Sequence, residues 1–174
     1  SYQFLFNYLT TPEQEVAVTE KLEEVYESLE LDSLGREAKI GKIYDYVTNH
    51  ITYDYAHLED GISAYPIAWS AYGGLIDGTC VCQGYSTLTY RMMKENGIPA
   101  RVITGYSGGA HGWNIVEIDG LFYNIDSTWD GYTVDENGNM ATPGGREWYL
   151  LSQADFGNHV RDEEYNTTEF HLKY

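Results

Sequence analysis

Basic residues are scarce in this chain: ten Lys and Arg stand against twenty-seven Asp and Glu in 174 residues, a formal net charge of −17. A field of that sign repels phosphate backbones and offers no basic stripe for counterion release, so nucleic acid is excluded as a partner class. No apolar run approaches the roughly 18 residues of a transmembrane helix, so no segment reads as membrane-spanning. The two cysteines, Cys80 and Cys82, are too few and too close together to serve as a disulfide framework, which leaves the hydrophobic core to hold the fold. Prolines number four, and neither a repeat nor a Pro/Gly/Ser-rich linker divides the chain, so one folding unit is expected over 1–174. Aromatic residues, by contrast, are plentiful. Seventeen Tyr and four Trp point to an extracellular or cell-surface setting, and a start at Ser1 without a leader fits a processed or trimmed chain.

The N-terminal third reads as helical. Thr11, Pro12 and Gln14 supply an N-cap, an N1 proline and a capping-box partner ahead of Val18, Leu22, Val25, Tyr26 and Leu29 on one face, predicting a helix over about Pro12 to Leu29. Ile40, Ile43, Tyr44 and Val47 repeat that spacing and predict a second over about Gly35 to His50. Ile51 to Gly78 is irregular and aromatic, and is expected to be a long ordered loop with one short helix. After the cysteines, Tyr85, Leu88, Met92 and Met93 mark the buried side of a helix ending at Asn96-Gly97, before Pro99. Arg101–Tyr106, Gly112–Ile118 and Leu121–Asp126 read as strands, the last two joined by an Asp119-Gly120 turn. Helices followed by an antiparallel sheet define an α+β class.

Two features of this layout bear on chemistry. Cys82 falls at a helix start, where unpaired backbone N–H groups and the positive end of the dipole favour a thiolate and could hold a tetrahedral oxyanion. A packed, inert thiol is the competing reading. In the hairpin, Ile118 pairs with Leu121, so Trp113 lies opposite Asp126 and His111 opposite Thr128, making His111 and Asp126 diagonal neighbours on one face. An imidazole held by a carboxylate keeps one tautomer and tolerates protonation, as a base for Cys82 and a proton donor to a leaving amine must. Taken singly, His111 could instead be a strand residue satisfied by a carbonyl, and Asp126 a turn cap.

Three ordered motifs carry a family resemblance: Val81-Cys82-Gln83-Gly84-Tyr85-Ser86, then His111-Gly112-Trp113-Asn114, then Asp126-Ser127-Thr128-Trp129-Asp130. Gly97-Ile98-Pro99, Ile118-Asp119-Gly120 and Trp148-Tyr149-Leu150-Leu151-Ser152 extend it over most of Tyr44 to Ser152. The chain resembles the transglutaminase-like superfamily, in particular bacterial transglutaminase-like domain proteins. The resemblance implies a papain-like core, with N-terminal helices and a cysteine-bearing helix packed on an antiparallel sheet. The expected layout is a helical part at about 11–50, a catalytic core at about 44–152 and a C-terminal extension at 153–174.

By position, the resemblance makes Cys82 the nucleophile, His111 the general base and acid, and Asp126 the orienting group. Cys80 lacks the Gln-Gly-Tyr context and reads as a loop or buried thiol. The implied reaction is attack of Cys82 on a peptide or protein carboxamide, an oxyanion held by the Cys82 N–H, and a thioester resolved by water or an amine. Tyr72 is the candidate second oxyanion donor. No metal or cofactor is called for. Asp135, Asn137 and Asn139 alternate like calcium ligands, but Gly138 is misplaced and Arg146 stands where a Glu would close the loop, so they read as a polar turn. Cys80, Cys82 and His111, with Asp126 or His159, lack the spacing of structural zinc. His50, His57, His159 and His171 read as surface or packing residues. The alternative function is a peptide- or cell-surface-binding module that keeps the fold without the chemistry.

Overall fold

The structure is a computed structural model that describes residues 8–167. Helix α1 (Pro12–Ser28) begins with the reciprocal cap expected of its sequence. The Thr11 hydroxyl accepts from the Gln14 N–H at 3.2 Å, and the Gln14 side-chain oxygen accepts from the Thr11 N–H at 2.9 Å. Val18, Leu22 and Val25 are its buried stripe. Helix α2 (Arg36–His50) buries Ile40, Ile43, Tyr44 and Val47, each contributing about 1.5–3 kcal/mol of transfer free energy.

The segment from Ile51 to Gly78 departs from the expected loop with one short helix. A two-residue strand β1 (Thr52–Tyr53) leads into α3 (Tyr55–Asp60), which is capped by the Asp54 carboxylate on the His57 N–H. A 3-10 turn (Pro66–Trp69) and a π turn (Gly73–Asp77) follow. Each piece spans less than two turns, too short for a 3.6-residue period to register in the sequence. A tight crossing holds them together: a Cβ on Gly73 would lie 2.4 Å from the Ile67 carbonyl oxygen. Strand β2 (Thr79–Cys80) then pairs in parallel with β1.

Helix α4 (Cys82–Glu95) is the central support. Its expected inner residues, Tyr85, Leu88, Met92 and Met93, are all buried. It ends where Gly97 takes a φ of +75°, with Ile98 N–H donating to Met93 O and Gly97 N–H to Lys94 O, a Schellman closure. Strands β3 (Ala100–Tyr106), β4 (Ala110–Ile118) and β5 (Leu121–Ile125) form the main sheet. A separate small hairpin, β6 (Thr133–Val134) and β7 (Met140–Thr142), precedes β8 (Val160–Arg161). The sheet order is β5-β4-β3-β8, antiparallel throughout.

Alternation along β4 divides the core. Asn114 and Val116 face α4, with the Asn114 amide donating to Ser86 O at 2.9 Å and Val116 joining the main cluster. Trp113 and Ile115 face the other way, packing with Ile103 and Phe156. The β4–β5 turn has φ of 52° at Asp119 and 83° at Gly120, the paired left-handed geometry of a two-residue hairpin. Its register runs from Ile118↔Leu121 to Asn114↔Ile125, as the sequence predicts. In the β6–β7 hairpin, the Asp135 carboxylate accepts the N–H groups of Asn137 and Asn139, so the alternating polar residues close a turn.

Candidate active site

Cys82 occupies the first position of α4, after Val81 in extended conformation. It is partly exposed and lines a cleft of about 460 Å³ whose walls include Leu58, Trp69, Gln83, Ser86 and His111. His111 enters from the start of β4, and Asp126 follows directly on β5. The hairpin register brings the two together as expected, with His111 Nε2 2.7 Å from Asp126 Oδ2. With Nε2 thus engaged, Nδ1 is the nitrogen left for the sulfur, and the interaction with the Cys82 side chain favours the charged form of the His111 ring.

Asp126 is fully buried, yet its carboxyl is held below the ordinary range. Burial alone would raise it, but donors outweigh that effect. Oδ1 accepts the N–H groups of Thr128 at 3.0 Å and Trp129 at 3.2 Å. Oδ2 accepts from His111 and, at 2.8 Å, from Nε2 of a second imidazole, His159. His111 is pushed up to about 9: burial works against the charged ring, and the hydrogen bonds to Asp126 and Cys82 prevail. Behind the carboxylate, the Tyr44 hydroxyl donates to Asp130 Oδ2 at 2.5 Å and lies 2.9 Å from Asp126 O.

The structure therefore brings Cys82, His111 and Asp126 to one place, and Tyr72 to another. Tyr72 packs against the main core and is not among the cleft-lining residues. It precedes the π turn, whose path was not readable from sequence. Two other aromatic residues lie near Cys82. Trp69 is on the cleft wall. The Tyr53 phenol oxygen accepts a hydrogen bond from the Cys82 backbone N–H, and burial pushes its hydroxyl up to about 12. Cys80 is fully buried, and burial raises its thiol well above the ordinary value.

His159 is a packed residue, as one of the two expected readings had it, but it is packed against the site's own carboxylate, a contact the sequence did not show. The segment expected as a C-terminal extension thus supplies both β8 and a ring of the site. His57 also has an acid partner, Asp54 Oδ2 at 2.6 Å, and stacks on Tyr65. His50 ends α2, its Nδ1 2.7 Å from Tyr46 O and its ring stacked on Tyr46; His171 lies outside the described residues. The nitrogens of His111 and His159 and the Asp126 carboxylate oxygen converge within 4.8 Å. Those atoms are already spent on one another in short hydrogen bonds, which explains their convergence without an ion.

A helix-opening cysteine packed against an antiparallel sheet that carries a His–Asp pair defines a papain-like α+β protein. Residues 23–136 match the transglutaminase-like superfamily, and the chain belongs to that superfamily. It is 26% identical to the kyphoscoliosis peptidase of Mus musculus over 161 residues, 85% of this chain and 24% of that protein. It is 26% identical to the Homo sapiens kyphoscoliosis peptidase over 148 residues, 78% of this chain and 21% of that protein. The chain thus spans about a quarter of the length of these curated relatives. Among solved structures it resembles a TGase crystal structure, with a TM-score of 0.59, 26% identity, 70% of this chain and 34% of that chain covered. A candidate cysteine protease from Cytophaga hutchinsonii shares the fold at a TM-score of 0.50 and 20% identity, over 83% of this chain and 46% of that one.

Proposed function

We propose that the protein is a thiol-dependent enzyme that transfers the acyl group of a peptide or protein carboxamide to water or an amine through a Cys82 thioester. The observation that carries this reading is the chain of contacts from the cleft-lining Cys82 through His111 to Asp126, the last step at 2.7 Å. His111 Nδ1 takes the Cys82 proton, and the sulfur attacks the carbonyl carbon to form a tetrahedral adduct. The imidazolium then gives that proton to the leaving nitrogen, so the C–N bond breaks as the thioester remains. Water or an amine, deprotonated by His111, displaces the sulfur and regenerates the thiol.

The adduct's oxyanion takes over the Cys82 N–H from the Tyr53 phenol oxygen, and the freed Tyr53 hydroxyl and the Trp69 indole N–H are the further donors in place of Tyr72. The names of the peptidase and protease relatives support hydrolysis as the main outcome, with amines competing for the thioester. Incubation with a peptide library, with and without a primary amine, tests this by mass spectrometry. Cleaved, deamidated or amine-coupled peptides that vanish with Cys82→Ala support it. A library left unchanged under all conditions leaves the non-catalytic binding module as the reading.

A further inference from the structure

The geometry points to His159 as a positioning residue: by donating to the same Asp126 oxygen as His111, it fixes that carboxylate and limits how strongly the carboxylate holds the proton of His111. This rests on the reading of Cys82, His111 and Asp126 as the reacting set. Its Nδ1 lies 2.9 Å from the Phe156 carbonyl oxygen, which can only accept, so that nitrogen donates. Its Nε2 lies 2.8 Å from Asp126 Oδ2, again an acceptor. A ring that donates at both ends is an imidazolium, with no lone pair to offer a substrate or Cys82. His159 therefore does not compete with His111 as a base, and its influence passes through Asp126.

The surroundings make that influence strong. The His159 side chain is fully buried, stacked on Phe156 at 3.9 Å and flanked by Trp129 at 4.4 Å, Trp113 at 5.0 Å and Trp148 at 5.2 Å between ring centroids. Water is kept from competing for Oδ2, and in so apolar a setting a hydrogen bond to a carboxylate counts for more than in solvent. With two histidine rings on one oxygen, each donor lowers the basicity that the other meets, and the charge of His159 opposes a second charge on His111. The other titratable groups around the trio include Cys82 from α4 and Asp162 on the same cleft wall, with Asp130 and Tyr44 behind Asp126. Arg161 of β8, two residues beyond His159, donates to Asn124 and Gln153.

The test follows the His111 ring by NMR across a pH titration of the whole chain, alongside thermal melting and Cys82 turnover. His159→Phe keeps an aromatic ring but removes the donor, and the His111 midpoint is expected to rise by about one pH unit. His159→Gln can present an amide N–H at the position of Nε2 but not the charge of the ring, and is expected to show a smaller rise than His159→Phe. A folded His159→Phe whose His111 titrates as before overturns the inference, as do equal shifts in both variants. Should His159→Phe not fold, the unsubstituted protein decides: its ¹⁵N spectrum must show a proton on His159 Nε2 that is lost in Asp126→Ala, and a bare nitrogen there overturns the inference. Failure of the reaction itself looks different. An inert Cys82 with the His111 shift intact removes the proposed activity and supports the charge sharing, whereas full turnover with His111 indifferent to His159 sinks this inference alone.

Discussion

Gly84 and Cys80 are locked together: a Cβ on Gly84 would lie 2.6 Å from both the Cβ and the Sγ of Cys80, and 3.0 Å from the Ser70 carbonyl oxygen. The first turn of α4 can settle onto β2 only because position 84 has no side chain, and that turn carries Cys82. The glycine of the Cys-Gln-Gly motif is thus a matter of close approach, since Gly84 sits in ordinary helical conformation. Gly84→Ala is expected to cost about 1–3 kcal/mol, the usual range for overpacking a core, and to slow Cys82 alkylation by displacing the helix start. Chemical denaturation and a labelling time course check both effects.

The roles of the reacting set separate by variant. Cys82→Ala is expected to abolish turnover while leaving the melting temperature near that of the parent, since its side chain borders the cleft; His111→Ala is expected to abolish turnover and, by taking a donor from buried Asp126, to lower the melting temperature as well. Asp126→Asn differs, because the carboxylate accepts from Thr128, Trp129, His111 and His159. An amide must turn its NH₂ toward one pair of those donors. The expected loss is about 3 kcal/mol of stability, as for a broken buried ion pair, alongside a reduced rate; denaturation with kinetics measures the two together.

The dependence on pH follows from two opposite shifts. His111 is raised to about 9, so its imidazolium contributes stability that is fully present below the ordinary histidine value of 6.5 and is lost as pH rises through about 9. Asp126 is lowered, so its carboxylate contributes stability present above the ordinary value of 3.8 and lost as pH falls through the depressed one. Melting temperature should therefore fall off on both flanks. His111→Gln should flatten the alkaline flank, which scanning calorimetry over pH can follow.

Tyr44 ties the segment after β5 to α2 through its hydroxyl on Asp130, while Asp130 also accepts the N–H groups of Glu147 and Trp148. Tyr44→Phe leaves that carboxylate short of a donor. A loss of about 1–3 kcal/mol is expected, with the His111 titration little changed because the Asp126 carboxylate keeps all four of its own donors.

What could be read from the sequence was local in origin. The Thr11–Gln14 cap, the stripe of α2, the Gly97 stop and the Asp119-Gly120 turn each depend on residues a few positions apart, and the hairpin register carried His111 to Asp126 without further information. The route of residues 51–78 was not legible, because three short helical pieces leave no period, and with it went the position of Tyr72. His159 was illegible for a different reason. It approaches Asp126 from 33 residues away through an aperiodic stretch, and its partner is set by the packing of Phe156, Trp113 and Trp148. Its place beside β8 was the one usable signal, and β8 is only two residues long.

The central claim is that His111 activates Cys82, and the alkylation rate of Cys82 by iodoacetamide between pH 5 and 9, in the parent and in His111→Ala, tests it most directly. The account predicts labelling near neutrality faster than that of a free thiol, confined to Cys82 and lost on removing the imidazole. Labelling at the pace of a simple thiol, or unchanged in His111→Ala, would contradict it.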